Sequence, residues 1–269
     1  MDKATYLYDI EYGCHERQRL DIFFPEKPKK ACGVILFIHG GGWQQGDKSG
    51  HRKDIDYFCR LGYISAAINY RFVAEDISVF EELDDITSAL KVIKEKCAEH
   101  GYSAEKLLLS GGSAGGHLSL LYAYTRMNEA PIKPVAACVY CPPVDCTTPD
   151  FLFGISGEFE EWKYSILSKC CGVQLNKGNY LSELQQAALK RISPQEYVNE
   201  EIIPTAVFQG KFDELIPFEH IIKFIALLNE KGIDNDLLVF ENSGHTLDKD
   251  PDMWEPTFKV IDGYAEKYL

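Results

Sequence analysis

The stretch Leu107-Leu108-Leu109-Ser110-Gly111-Gly112-Ser113-Ala114-Gly115-Gly116-His117-Leu118 decides how the rest of the chain is read. Its three leucines form an apolar run that suits a buried strand. Glycines follow, and then Leu118 to Met127 reads as a helix. Ser113 sits between them in the pattern Gly-x-Ser-x-Gly, from Gly111 to Gly115. That spacing describes a sharp strand-to-helix turn, which holds one hydroxyl out over the end of a sheet. Glycine is needed on both sides because a Cβ there would strike neighbouring backbone, while the serine is held in a strained conformation. The helix beyond the turn aims its N–H groups and dipole at the hydroxyl and favours negative charge there. The pentapeptide alone is weak evidence, since a glycine-rich turn of no chemical interest has the same pattern, so its context must decide.

Outward from this stretch, strand and helix patterns alternate. Thr5 to Ile10 and Leu20 to Phe24 read as two short strands, expected to be antiparallel at one edge. Gly33 to Ile38 is a continuous apolar, β-branched run that suits a strand buried on both faces. A helix is expected around Lys53 to Leu61, a strand over Tyr63 to Tyr70, and a helix over Phe80 to Cys97. That last helix has Leu83, Ile86, Leu90 and Ile93 at helical spacing, with Asp84 and Asp85 in its first half, where the dipole prefers acids. Strands follow at Pro134 to Tyr140, Thr205 to Gln209 and Asp236 to Phe240, with helices at Phe218 to Asn229 and Trp254 to Tyr268. Residues 144–199 break the alternation with two short helical patterns and a cluster of aromatics: Phe151, Phe153, Phe159, Trp162 and Tyr164. We read them as a cap inserted within one domain spanning residues 1–269. Alternating strands and helices imply a mostly parallel sheet covered on both faces.

Composition narrows the function classes. The 269 residues carry a formal net charge of −13, with 45% hydrophobic and 26% charged residues. This balance suits a globular protein and argues against a nucleic-acid or anionic-membrane surface, which would demand clustered Lys and Arg. No run approaches the roughly 20 apolar residues of a membrane span. Met1 to Tyr6 has no apolar signal core, so the nine cysteines are expected as reduced thiols in the cytoplasm. Cys138-x-x-Cys141 reads as packing rather than a metal or redox site. Cys138 lies in a strand pattern, no second pair matches it, Cys170-Cys171 has poor ligand spacing, and Cys32 sits in another apolar run.

In an open sheet of this kind, ligands gather beyond the carboxyl ends of the strands. Four strands end in chemically loaded segments: His39-Gly40-Gly41-Gly42-Trp43, Ser113, Gly210-Lys211-Phe212-Asp213-Glu214 and Ser243-Gly244-His245. A serine, an acid and a histidine therefore converge on one edge, in the chain order Ser, Asp, His. With these residues the chain resembles the α/β-hydrolase-fold serine esterases, and within them the hormone-sensitive-lipase-like and small acetyl-esterase groups. The resemblance runs along essentially the whole chain. It rests on His39 to Trp43, Tyr70-Arg71, Gly111 to Leu118, Gly210 to Asp213 with Ile216-Pro217, and Gly244-His245. The departures are Gly112, where many lipase-like members carry Asp, and Gln209, where many small esterases carry His. They bear on subgroup and substrate.

The resemblance implies an eight-stranded α/β-hydrolase fold and hydrolysis of short-chain carboxylic esters, with no metal or organic cofactor. Ser113 would be the nucleophile, His245 its base and later acid, and Asp213 the group that orients the imidazole. The N–H groups of Ala114, Gly41 and Gly42 would receive the oxyanion, and which of the two glycines donates better is open. Glu214 and Asp248 stand close enough in sequence to compete with Asp213. His39 is expected to pack or hydrogen-bond in support of its loop and His117 to pack, and Trp43 with the cap aromatics either lines a pocket or belongs to the core. The expected partner is a small-molecule ester, with a homodimer left open. The alternatives are an arylformamidase or other amide hydrolase with the same triad, a peptidase, and a ligand-binding or inactive scaffold on the same fold.

Overall fold

The computed structural model describes residues 4–29, 33–153 and 160–269. In chain order its elements are β1 (Thr5–Glu11), β2 (Arg19–Phe24), β3 (Gly33–Ile38), α1 (Arg52–Arg60), β4 (Ile64–Asn69), α2 (Val79–Glu99), β5 (Lys106–Gly112) and α3 (Ala114–Arg126). The second half adds β6 (Lys133–Tyr140), α4 (Pro149–Phe153), α5 (Glu160–Cys171), α6 (Glu183–Arg191), β7 (Thr205–Gly210), α7 (Phe218–Glu230), β8 (Asn235–Phe240) and α8 (Trp254–Tyr268). The strands form one eight-stranded sheet in the order β1-β2-β4-β3-β5-β6-β7-β8. β2 runs antiparallel to both β1 and β4, and every other pairing is parallel. This is the α/β-hydrolase fold.

The central strands are buried on both faces, as their unbroken apolar runs require. Side chains alternate between two cores. Val34, Leu36 and Ile38 join Leu107, Leu109 and Val207 beneath α2, α3 and α7. Ile35 and Phe37 join Leu108, Cys138 and Phe208 beneath α1 and α8. The carboxyl ends of β3, β5, β7 and β8 consequently lie along one rim, where the chain leaves the sheet in turns instead of core.

Some sequence expectations shift. The helix after Ser113 starts at once, at Ala114, and ends at Arg126, one residue before the expected Met127. Among the described residues three helices, not two, lie between β6 and β7, followed by a 3-10 turn at Pro194–Tyr197. Cys32 and Phe159 lie outside the described residues, as does the side chain of Phe153. Asp85 is not a solvated dipole partner: it is buried, binds Arg71 at 2.7 Å, and accepts from Gln18 Nε2 at 2.8 Å. The start of α2 is held by a capping box, in which Ser78 Oγ accepts from Phe80 N–H and Glu81 accepts from Ser78 N–H at 2.8 Å.

Candidate active site

Ser113 has φ 53° and ψ −120°, a conformation that costs a non-glycine residue free energy. Backbone bonds on both sides hold it there. Its N–H donates to Tyr140 O at 2.8 Å, and its carbonyl accepts from His117 N–H at 2.9 Å. A Cβ on Gly115 would lie 2.0 Å from Ile38 O, so only glycine lets α3 pass so close to the end of β3. The first turn of α3, beginning with the Ala114 N–H, therefore opens directly beside the serine hydroxyl.

The turn after β7 brings an acid toward this point, and the turn after β8 brings the histidine. Ser113 Oγ lies 2.9 Å from His245 Nε2, and His245 Nδ1 lies 2.8 Å from one oxygen of Asp213 and 3.0 Å from the other. A carboxylate only accepts, so the imidazole proton sits on Nδ1 and Nε2 is free to accept from the serine O–H. Asp213 is 1% exposed. Its Oδ1 accepts from the N–H groups of Leu215 and Ile216 at 2.9 and 2.8 Å, and its Oδ2 from Gln209 Nε2 at 2.9 Å. The competing acids go elsewhere. Glu214 accepts the backbone N–H of His245 at 3.1 Å, and Asp248 accepts from Thr246 Oγ1 in its own exposed turn. Such a relay can remove the serine proton and return it to a leaving group.

The loop after β3 runs against the serine, for an ideal Cβ on Gly40 would lie 3.3 Å from Ser113 Cβ. Gly41 has φ 116°, and a Cβ there would meet Gln45 O at 2.2 Å, so its backbone path is open to glycine alone. Trp43 is buried, and its indole N–H donates to His117 Nδ1 at 3.1 Å. His117 Nε2 lies 2.6 Å from Ile192 O, so the ring proton is on Nε2, and the imidazole ties the loop to α3 and to the end of α6. Burial pushes the His117 pKa down to about 4 and that of His39 to about 4 as well.

Sequence reasoning placed His39 in support of this loop and overlooked Arg17. Arg17, from the β1–β2 turn, donates to Tyr70 O at 2.8 Å and Gly46 O at 3.1 Å, lies 3.1 Å from His39 Nε2, and stacks 3.6 Å over the Phe72 ring. His39 in turn stacks on Tyr70 with centroids 4.4 Å apart. No local pattern marks the Arg17 guanidinium, because each of these side-chain partners is at least 22 residues away in the chain.

Two cavities flank Ser113 and His245. One, of about 450 Å³, lies beneath α4 and α5 and is walled by Gly41, Gly42, Trp43, Phe151, Trp162 and Ile216 among others. The other, of about 260 Å³, is bounded by Gly40, Tyr140, Cys141, Leu247 and Trp254. A cavity of about 860 Å³ along α5 touches none of Ser113, Asp213 and His245. Cys141, not paired with Cys138, has its sulfur within 4.8 Å of donor atoms of Asp213 and His245, which are occupied by the hydrogen bonds above. Burial first, then the neighbouring Asp213 carboxylate, pushes that thiol well above its ordinary range.

The BD-FAE family matches residues 20–228 of this chain. Among curated proteins the chain is similar to a probable carboxylic ester hydrolase, LipM, of Mycobacterium tuberculosis, with 28% identity over 82% of this chain and 51% of that protein. It is also similar to a probable isoprenylcysteine alpha-carbonyl methylesterase of Oryza sativa subsp. japonica, with 25% identity over 89% of this chain and 58% of that protein. The chain thus spans about half the length of the curated relatives it matches. Esterase B of Lactobacillus rhamnosis shares the fold, with a TM-score of 0.78 at 18% identity over 99% of this chain and 87% of that one. A propionate-bound esterase of Thermogutta terrifontis superposes with a TM-score of 0.69 at 25% identity, over 93% of this chain and 89% of that one.

Proposed function

The chain belongs to the BD-FAE family, and on that premise we propose that it hydrolyses carboxylic esters of short acyl chains through an acyl-enzyme on Ser113. The observation that carries the reading is the relay from Ser113 Oγ through His245 to Asp213, at 2.9 and 2.8 Å, at the floor of a cavity of about 450 Å³. Ser113 Oγ attacks the ester carbonyl carbon as its proton passes to His245 Nε2. Asp213 stabilises the imidazolium through Nδ1–H. The carbonyl oxygen, now an anion, is received by the N–H groups of Ala114, Gly41 and Gly42. Collapse releases the alcohol, which takes the proton from His245. A water, deprotonated by the same imidazole, then frees the acid and restores Ser113. The cycle calls on no group beyond the chain, the ester and water.

Residues 144–199, with α4, α5 and α6, serve in this reading as a cap over the cavity. The eight cysteines among the described residues are free thiols, which supports a reducing, cytoplasmic setting. No helix among the described residues is long and apolar enough to cross a membrane.

The test is turnover of p-nitrophenyl acetate and butyrate together with labelling by a fluorophosphonate probe. Wild type is expected to turn over both esters and to be labelled, and Ser113→Ala to lose both properties. Absence of serine-dependent turnover and of labelling would overturn the proposal. N-formylkynurenine in the same panel separates an ester from a formamide preference.

A further inference from the structure

Lys163 is buried in the wall of the 450 Å³ cavity, on α5, with 2% of its surface exposed. It is the one ammonium among the described residues lining that cavity, most of which are apolar. Its Nζ donates to Phe151 O and, at 2.8 Å, to Leu215 O, and lies 4.5 Å from the Phe151 ring centroid. Both carbonyls belong to residues that line the same cavity. An ammonium has three protons to donate, and these two carbonyls take two. Among the described residues no carboxylate lies within 4.0 Å of it, although Asp213 is near enough for its charge to be felt.

Burying a cation without a counter-ion is expensive, and a side chain such as Met would fill the same space without the cost. The cost shows in the free protein, where burial pulls the Lys163 pKa down to about 8. A purely mechanical role, joining α4 and α5 to the turn that carries Asp213, would use two protons and leave the charge unexplained. The remaining proton and the charge fit an anionic ligand group brought into the cavity.

We propose that Lys163 forms an anion subsite, and that the preferred esters carry a second, ionised carboxylate which takes the third proton of its ammonium. The proposal rests on the ester-hydrolase reading and names its substrate class as monoesters of dicarboxylic acids or esters whose alcohol half bears a carboxylate. The preference is local and works against the rest of the molecule. The net charge is −13, and exposed Glu214 stands at the rim of the same cavity. An anion is therefore drawn in by Lys163 and not by the surface field.

The experiment compares kcat/KM for mono-p-nitrophenyl succinate against p-nitrophenyl butyrate, and for 3-acetoxybenzoate against phenyl acetate. The first pair carries the charge on the acyl half, the second on the alcohol half. Wild type should favour the charged member of one pair. Lys163→Met should cost that member about 10- to 100-fold more than its neutral counterpart, the range of one charge-assisted hydrogen bond. Lys163→Arg, which keeps the charge and the donors, should retain the preference. An equal loss on charged and neutral esters in Lys163→Met, or a wild type without a charged preference in either pair, overturns the proposal. Direct binding of the same four esters to Ser113→Ala, with and without Lys163→Met, reads the subsite independently of turnover. A Lys163-dependent preference there, beside a wild type that turns over none of them, would keep the subsite and refute the hydrolase reading.

Discussion

Asp213 is held by more donors than an orienting carboxylate strictly needs. Two backbone N–H groups, Gln209 and His245 surround it, so the carboxylate is fixed in rotamer. Asp213→Asn is expected to lower kcat by about 10⁴, because an amide presented to Nδ1 disturbs the imidazole tautomer. Asp248→Asn, altering an exposed turn acid bonded to Thr246, should leave kcat within about twofold of wild type. Steady-state kinetics on one neutral ester checks both, and a severe loss confined to Asp248→Asn would reverse the assignment. In the sequence Asp213, Glu214 and Asp248 were three acids near two expected positions. Choosing among them takes the turn geometry: Asp213 points inward over the N–H groups of Leu215 and Ile216, while Glu214, one residue on, faces out. Gln209, noted only as a departure from a family pattern, supplies one of the donors, and its own Oε1 is buried without a partner among the described residues.

At the scale of elements, the loop after β3 is positioned by side chains from three distant segments. Arg17 joins its Gly46 carbonyl to that of Tyr70 beyond β4, His39 stacks on Tyr70, and His117 ties Trp43 to Ile192. Arg17→Met leaves those acceptors without a donor and shifts the backbone amides of Gly41 and Gly42. Kcat should fall between about 10- and 100-fold with little change in KM, in a variant whose far-ultraviolet circular dichroism matches wild type. The two buried histidines set an acid limit. Each has its pKa lowered from 6.5 to about 4 in the folded chain, so below 6.5 the unfolded chain takes up protons that the folded chain does not. Stability is thus fully present above 6.5 and is lost as pH falls toward about 4, by about 1.4 kcal/mol per pH unit for each histidine. His117→Phe should remove one such increment, seen as a shallower acid limb in urea unfolding midpoints. The strand and helix patterns around this loop were legible because they repeat every two or about 3.6 residues. Arg17 was not, since its hydrogen bond to Gly46 leaves no trace in local spacing.

Over the whole molecule, the sheet and its two cores follow from patterning, and the exceptions lie where charge is buried. Lys48 and Asp21, both nearly inaccessible, pair at 2.6 Å and join the β1–β2 edge to the turn before α1. Glu82, on α2, is fully buried, and among the described residues neither carboxylate oxygen has a hydrogen-bond partner. Burial first, then the Asp85 charge, raises its pKa well above the ordinary 4.5, so the folded chain holds a proton that the unfolded chain releases. Its effect has the opposite sign to that of the histidines: stability is present below 4.5 and is lost as pH rises toward the folded value. Glu82→Gln should therefore gain on wild type by about 1.4 kcal/mol per pH unit through that window, measured by urea unfolding at a series of pH values. An unchanged difference from pH 5 to pH 8 would show that Glu82 is not held neutral. By itself the sequence determined the succession of strands and helices, the glycines that a tight turn demands, and the side chains that stand at the strand ends. Each of these is written in neighbouring residues, through periodicity and steric exclusion. Only the tertiary structure decided which acid meets the imidazole, that Arg17 braces the loop after β3, and that two lysines and a glutamic acid are shut away from water. Those outcomes depend on residues far apart in the chain arriving at one place, and the free energy of a buried charge is set by its surroundings and not by its neighbours in sequence.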